Sequence, residues 1–415
     1  MSKHILIIGG GVIGLCTARY CVQHGHRVTI LESGGPDHDG CSFGNAGLVV
    51  PSHFTPLTSP KNIALGMKWM LNRRSPFYIR PRPSWELLTW LGLLLRRSSD
   101  GHVKRSAPLL RDLQFASRAC YEEIADTSAN DFGFVKKGLL ALCRTDAMLE
   151  DQTRLAAYAN QLGITAEVVT PSQASELEPS IRMSIKGAVY YPQDCHLSPE
   201  SLMASLARSL EQAGVQFNWA TEVRGWQLKN GKVGAVSTTG GDYTADEYVV
   251  CGGSWSAAIL RSLGVRLPLQ AGKGYSLTLT HPPQLPQLSF LLCEARVAAT
   301  PMGGRLRFGG TLEISPRDLR INNLRVQTII DRVQQYFPEL SPRDFDGVKP
   351  WCGLRPCTPD GLPYAGRLKR YENVWVAAGH AMFGISLAPI TGKLMAEMLS
   401  GKETSIPIDA LSPNR

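Results

Sequence analysis

The residues with the most defined chemistry stand at the start of the chain. Residues 5–8 form a short apolar run ending in Gly9-Gly10-Gly11-Val12-Ile13-Gly14, which sets Gly9, Gly11 and Gly14 at the spacing Gly-x-Gly-x-x-Gly. Each glycine answers a different need: a tight turn at Gly9, close backbone approach to a pyrophosphate at Gly11, and helix–strand packing at Gly14. Val12 and Ile13 would open a helix whose free N–H groups and dipole favour a diphosphate. Glu32 lies eighteen residues beyond Gly14, at the end of a second strand-like run, residues 27–31. Its carboxylate can accept both hydroxyls of an adenosine ribose there. A glycine-rich turn alone is weak evidence, and the bland alternative is a βαβ unit whose Glu32 merely ends a strand. Strand, turn, helix, strand and carboxylate in this order favour a dinucleotide site.

These groups need elements to hold them. Residues 12–24 carry a helical pattern, and Ser33 opens a polar turn after Glu32. The small-residue segment Ser42, Gly44, Asn45, Ala46, Gly47, Leu48 then suits close contact with a flavin nucleotide through backbone N–H groups and the Asn45 amide. Residues 51–83 read as irregular and proline-rich, holding His53, Trp69 and Tyr78. Residues 85–95 are largely apolar and end in Arg96 and Arg97, with Arg73, Arg74, Arg80 and Arg82 upstream. One reading is a buried helix with a basic cap. The other is an interfacial segment whose tryptophans and arginines sit at headgroups of an inner leaflet.

Further on, residues 223–228 and 233–238 form a hairpin turning at Asn230-Gly231. Residues 244–251 then run as a buried strand into Gly252, Gly253 and Trp255, a second strand–glycine–helix unit. The chain therefore leaves the nucleotide domain and returns to it. Residues 265–345 supply another sheet, including the alternating stretch 273–279 around Tyr275. The last part holds Gly353 and Arg355, a strand at 374–378, and then Gly379, His380, Met382, Phe383 and Gly384 before a final helix starting at Ile385.

The 415 residues give two or three domains' worth of core, and a hydrophobic fraction of 43% is ordinary for globular protein. The net charge of +9 comes from scattered Lys and Arg apart from a cluster between Lys68 and Arg105, with no nucleic-acid motif. It suits an anionic membrane surface or an anionic substrate better than nucleic acid. The ten cysteines show no metal-ligand spacing and read as reduced thiols packed as small hydrophobes in a cytoplasmic protein. No metal site is expected. The first strand leaves no room for a signal peptide, and no apolar run is long enough to span a bilayer.

Five blocks in order carry a family likeness: the 9–14 fingerprint, Gly44-Asn45-Ala46-Gly47, Lys273-Gly274-Tyr275-Ser276-Leu277-Thr278, Gly353-Leu354-Arg355-Pro356 with Thr358-Pro359-Asp360-Gly361, and Gly379-His380 to Gly384 with Thr391-Gly392. Over essentially its whole length the chain resembles the flavin-dependent oxidoreductases of the D-amino-acid oxidase and glycine oxidase type, most of all the bacterial D-amino-acid dehydrogenases. The resemblance implies an α/β fold with two parts. A discontinuous Rossmann-like FAD-binding domain would take residues 1–55, 100–130, 196–262 and 348–415. An α+β substrate domain with a large, mostly antiparallel sheet would take residues 56–99, 131–195 and 263–347.

It further implies noncovalent FAD, a small amino-acid substrate, and oxidation of an α-amine by hydride transfer from the α-carbon to flavin N5. Arg355 matches the arginine that grips the substrate carboxylate, a role that suits a planar fork which stays charged. The FAD contacts fall on the fingerprint, Glu32, Ser33, the 42–48 segment, Val223, Gly252, Gly253, Trp255, Gly353, and Gly379 with Met382, Phe383, Gly384 and Ile385. His380 reads as a positioning group, because the amine need only be neutral. Tyr275 and His53 read as pocket-lining groups or as packing. Cys352 adjoins the position where sarcosine oxidases tether their flavin, and Arg307 falls where those oxidases carry an oxygen-activating lysine. An arginine there favours a dehydrogenase passing electrons to a quinone. The alternatives are a glycine or sarcosine oxidase using oxygen, and a non-catalytic flavoprotein subunit. D-proline or D-hydroxyproline is a narrower substrate expectation.

Overall fold

A computed structural model describes residues 1–56, 58, 60 and 75–415, so Lys68, Trp69, Arg73 and Arg74 of the basic cluster lie outside the described residues. The apolar run at the amino end forms the strand His4–Ile8, at the centre of a six-stranded sheet. Across that sheet the order is Tyr364–Arg367, Val374–Ala378, Glu247–Val250, His4–Ile8, Arg27–Leu31 and Gln216–Asn218. All neighbours run parallel except the first pair. Parallel strands covered on both faces must be apolar on both, and the central strand obeys this. Ile5 and Ile7 join one core cluster while Leu6 and Ile8 join the other.

The Ile5 face is covered by the helices Val12–Gln23, Asp100–Thr127, Pro199–Gln212 and Gly384–Leu399. Gly392 lets the last helix lie against the first, because a Cβ there would stand 2.5 Å from the Cys16 carbonyl oxygen. The opposite face carries a three-stranded antiparallel sheet made of Val223–Lys229, Lys232–Thr238 and Gly241–Tyr243, with the expected turn at Asn230-Gly231.

The second sheet has nine strands and is mostly antiparallel, as expected. Its order is Trp351–Cys357, Gln270–Leu279, Arg305–Ile314, Val297–Met302, Ser289–Leu292, Leu139–Cys143, Gly187–Tyr191 and Glu167–Val169, with Phe77–Ile79 beside the far end of Arg305–Ile314. The helix Asn323–Tyr336 covers its back, over Phe290, Phe308 and Phe337. The strand Trp351–Cys357 falls in a segment expected with the nucleotide domain, yet it pairs with Gln270–Leu279. The chain rejoins the nucleotide sheet only at Tyr364–Arg367, after the turn through Pro359, Asp360 and Gly361.

The helix Trp85–Arg97 starts on Ser84, whose hydroxyl accepts the Leu87 N–H at 3.3 Å, and only Leu87 and Trp90 are buried. It is therefore not the buried helix of the blander reading. The side chains of Trp85, Leu88 and Leu95 are 81%, 54% and 57% exposed.

Two contacts tie the sheets together. Arg307, on the nine-stranded sheet, donates to the carbonyls of Phe43 at 2.8 Å and Asn45 at 3.0 Å and to Thr278 at 2.9 Å. It also pairs with Glu200 at the start of the helix Pro199–Gln212, which Arg305 grips at 2.9 Å. At the far end, Arg415 holds the buried Asp360 through bonds of 2.6 and 3.0 Å and lies 4.2 Å from the Tyr364 ring centre.

Burial alone would push the Asp360 carboxyl up, but the Arg415 guanidinium outweighs it and holds the pKa below its ordinary value. Breaking a buried pair by removing one partner costs about 3–5 kcal/mol. Arg415→Ala should therefore lower the thermal unfolding midpoint by several degrees at pH 7.5. A depressed carboxylate stabilises above its unfolded pKa and loses that effect as pH falls through the folded one. Without Arg415 burial is the strongest influence left on the Asp360 carboxyl, which should take a proton by pH 4, so the gap between wild type and variant should narrow in melts at that pH, and equal gaps at both pH values would count against this pair.

Candidate active site

The fingerprint glycines are explained partly by the protein and partly by what it leaves open. A Cβ at Gly9, where φ is +117°, would stand 2.5 Å from the Cys251 carbonyl oxygen, and one at Gly14 would stand 2.0 Å from that of Gly9. Gly11 differs: a Cβ there would meet only Ser42 Oγ, at 3.5 Å. Nothing among the described residues requires glycine at that point, so its missing side chain leaves room for a ligand at the helix N-terminus. Gly384, at the start of the last helix, is equally unobstructed. Ser42 accepts the Val12 N–H at 3.1 Å, fixing the 42–48 segment against the fingerprint. The N–H groups of Gly44 and Ala46 find no partner among the described residues.

Glu32 ends its strand with one carboxylate oxygen on the Gly10 N–H at 2.7 Å and the other on the Gly34 N–H and the Ser33 hydroxyl at 2.8 and 3.0 Å. It is thus held beside the fingerprint. A cavity of about 600 Å³ opens between Gly10, Gly44, Trp219 and Trp351. A second, of about 450 Å³, lies past the same segment and is walled by Asn45, Ala46, Leu48, Met382, Phe383 and Arg355, among others. Open glycines at two helix starts, free amides between them and a carboxylate beside the turn fit an FAD running along residues 9–14 and 42–48 to the Gly384 helix.

The sheet geometry around Arg355 determines what that second cavity can do. Arg355 lies on the edge strand opposite Gly272, and its guanidinium passes over Gly274, where a Cβ would be 1.9 Å from Nη1. Nη1 donates to the Thr311 carbonyl at 2.7 Å. That carbonyl is aimed by a bulge: Tyr275 faces Gly310 and Lys273 faces Glu313, leaving Thr311 and Leu312 opposite Gly274. Thr311 carries φ of +61°, a conformation that β-branched residues rarely adopt. Burial lowers the Arg355 pKa from its ordinary value, but a guanidinium stays protonated. Among the described residues no carboxylate pairs with it.

The other expected groups separate into those at the cavity and those away from it. His53 lines the cavity with Arg355. Tyr275 and Cys352 do not. Strand residues alternate faces, so both sit behind the sheet, one residue out of phase with Gly274 and Arg355, within the core around Phe308. Cys352 Sγ lies 2.8 Å from the Leu319 carbonyl, turned away from the cavities, which agrees with a flavin held without a covalent tether. His380 is buried on Thr391 Oγ1 at 2.9 Å and lines neither cavity. Burial pushes its pKa down to about 3.

Gly379 has φ of +85° and packs against Thr358, while the Ile385 carbonyl accepts the Tyr121 hydroxyl at 2.6 Å. The Gly353 backbone lies under the Trp351 ring. Val223 heads the three-stranded sheet just past Thr221, whose N–H bonds the Glu32 carbonyl at 2.8 Å. Gly252, Gly253 and Trp255 form the turn that Ser254 ties to the Leu354 carbonyl at 2.8 Å. Read from sequence, Thr311 and Trp351 carry no role, and Trp90 is only one of the tryptophans of residues 85–97. A Gly309-Gly310 pair inside a strand was the available sign of the bulge.

Comparison with known proteins agrees with this geometry. The family model described as DAO, FAD dependent oxidoreductase, matches residues 4–398, and the chain belongs to that family of FAD-dependent enzymes. Among curated relatives, a D-amino acid dehydrogenase of Granulibacter bethesdensis is 31% identical over 97% of both chains. A D-amino acid dehydrogenase of Methylobacterium radiotolerans is 33% identical over 99% of both. The crystal structure of glycine oxidase from Geobacillus kaustophilus superposes with a TM-score of 0.79 at 27% identity, covering 100% of this chain and 99% of the other.

Gly274→Val should push the Arg355 guanidinium aside while leaving the nucleotide sheet untouched. The flavin content read from absorbance should stay at the wild-type level, while KM for the amino acid rises on the order of 100-fold, as expected for loss of about 3 kcal/mol of ion pairing. An unchanged KM would show that the guanidinium does not contact the substrate.

Proposed function

We propose that the protein oxidises a D-amino acid to its imino acid, which water then hydrolyses, and passes the electrons to a quinone rather than to oxygen. The single observation that supports this most is Arg355, a half-buried guanidinium without a carboxylate partner among the described residues, facing a mostly apolar cavity. An unpaired cation there is costly unless a ligand supplies the anion, and a planar fork suits a carboxylate. Bound FAD would supply the acceptor for the two electrons and the hydrogen that leave Cα. The chain's own part is to grip the carboxylate with Arg355, seat the side chain against Leu48, Phe77, Trp90 and Leu94, and exclude water. Those walls suit a compact apolar side chain, which favours a cyclic substrate such as D-proline. The D-configuration rests on the likeness to the two curated dehydrogenases.

Anaerobic mixing with a panel of D- and L-amino acids, sarcosine and D-proline tests the reading. The flavin should bleach with D-amino acids and fastest with compact apolar ones. Reoxidation should be quicker with a soluble quinone than with air, and rapid peroxide formation would favour the oxidase alternative. A yellow protein that no amino acid bleaches would return the chain to the class of non-catalytic flavoproteins.

The helix Trp85–Arg97 supports a membrane-facing reading of the same enzyme. Trp90, Leu91 and Leu94 line the cavity, so the inner face belongs to the site, while Trp85 and Leu88 face outwards above Arg96 and Arg97. No helix among the described residues is long and apolar enough to cross a membrane. An apolar face bordered by arginines suits the surface of an anionic bilayer, where a lipid quinone would be at hand. Trp85→Glu combined with Leu88→Glu should abolish co-sedimentation with anionic vesicles and leave the unfolding midpoint unchanged. Undiminished sedimentation of the double variant would remove this helix from consideration.

A further inference from the structure

We propose that His53, Ser52 and Asp194 form a proton relay that takes a proton from the ammonium group of the bound amino acid, an inference that rests on the amino-acid reading above. An ammonium has no lone pair to support loss of hydride from Cα, so a proton must leave first. Among the described residues lining the cavity, the titratable groups are His53, Arg296, Arg355 and Cys357. Guanidinium groups cannot accept a proton. Burial holds the Cys357 thiol up at about 12, so it already carries its proton. His53 is the group on that wall with a lone pair to offer.

The hydrogen bonds behind His53 fix where that lone pair points. Asp194, fully buried, accepts the Ser52 N–H at 3.0 Å and the Ser52 hydroxyl at 2.5 Å. With its proton committed to Asp194, Ser52 Oγ can only accept from His53 Nδ1, which lies 3.0 Å away. The imidazole then carries its hydrogen on Nδ1, leaving Nε2 bare, and Nε2 has no partner among the described residues.

The electrostatics say why the proton must travel on. Burial, and then Arg296 beside it, pushes the His53 pKa down to about 4, so an imidazolium is a poor resting place. Burial pushes the Asp194 carboxyl up to about 7, against the two bonds from Ser52 and the positive field of Arg118 on the helix Asp100–Thr127. Burial, and then Asp194 beside it, raises the neighbouring Tyr191 hydroxyl, which stays protonated. The carboxylate is therefore the better base of the pair. In the transfer the substrate N–H bond breaks and Nε2–H forms, Nδ1–H passes to Ser52, and the former Ser52 hydrogen passes to Asp194. An ammonium and a carboxylate become an amine and a carboxylic acid. No charge is created in the dry site, and solvent takes the proton back after product leaves.

The test uses the FAD-loaded enzyme and the rate of anaerobic flavin reduction from pH 6 to 10. In the wild type the rate should fall below about pH 7, where Asp194 is protonated and cannot receive. Ser52→Ala keeps the backbone bond to Asp194 but cuts the chain, and Asp194→Asn removes its end. Both should lose on the order of 100-fold at pH 7, and both should regain most of it by pH 10, where the substrate arrives as free amine. A second readout needs no turnover: in histidine-labelled protein the His53 nitrogen signals should report the Nδ1–H tautomer at pH 8, and Ser52→Ala should release it. Wild-type flavin that no amino acid reduces overturns the amino-acid reading, and the relay with it. Reduced wild type beside variants that keep its pH profile, or a His53 already in the Nε2–H form, overturns the relay alone.

Discussion

An unpaired guanidinium at the wall of an apolar cavity is the constraint on which the rest of the structure depends. In a medium of low polarity such a charge seeks any carboxylate within reach, and the described residues supply it with one carbonyl instead. Three features keep that carbonyl and the fork in place. Gly274 has no side chain to obstruct the guanidinium, and the bulge at Thr311 turns the carbonyl towards it. Trp90 anchors the same edge strand by donating its indole N–H to the Cys357 carbonyl at 3.0 Å. The strained Thr311 backbone is tolerable because long strands on both sides over-determine it.

The nucleotide half was legible in the sequence because its causes are local. Gly14 is a glycine because of the Gly9 carbonyl five residues before it, Gly9 takes a positive φ within the turn itself although its close neighbour Cys251 is remote in sequence, and Glu32 reaches back to Gly10 across a single βα unit. The substrate half was legible only as strands. The alternation over residues 273–279 announces a strand without saying which face meets the cavity, and a one-residue difference in phase sends every side chain to the other side. Tyr275 and Cys352 went to the core for that reason, while the glycine between Lys273 and Tyr275 gained the functional place. Residues 85–97 show the same loss of information at the level of a helix. Their composition gives an apolar segment, but only tertiary packing decides that Trp90 turns inwards and Trp85 outwards.

Arg307 shows how a residue placed by likeness can have a separate structural task. Its position was marked by comparison with oxidases that carry a lysine there. In the structure it spends its donors on Phe43, Asn45, Thr278 and Glu200. That ties the nine-stranded sheet to the helix Pro199–Gln212 and to the loop that Ser42 fixes beside the glycine fingerprint. Fixing the loop through its carbonyls leaves the amides of Gly44 and Ala46, which find no partner among the described residues, turned to no competing task. Because Glu200 lies more than a hundred residues from Arg307 in the chain, no local pattern joins them.

A zwitterion entering a dry cavity brings two charges that must both be dealt with, and the two walls treat them differently. In the proposed function Arg355 would meet the carboxylate with a fixed cation that cannot lose its proton, so that end would stay ionic and set the orientation. At the other end a fixed anion would hold the ammonium as an ion pair and block the chemistry, since a paired ammonium keeps its proton. A neutral imidazole with a buried carboxylate two bonds behind it avoids this: in the proposed relay it would bind the ammonium through Nε2 and also discharge it. Arg296 makes the same point from the opposite side. A cation next to His53 would be a liability if the imidazole had to store the proton, but it is an asset if the proton must move on to Asp194. The charge layout thus favours an amine over an ammonium once the carboxylate is seated, which is the order that oxidation at Cα requires.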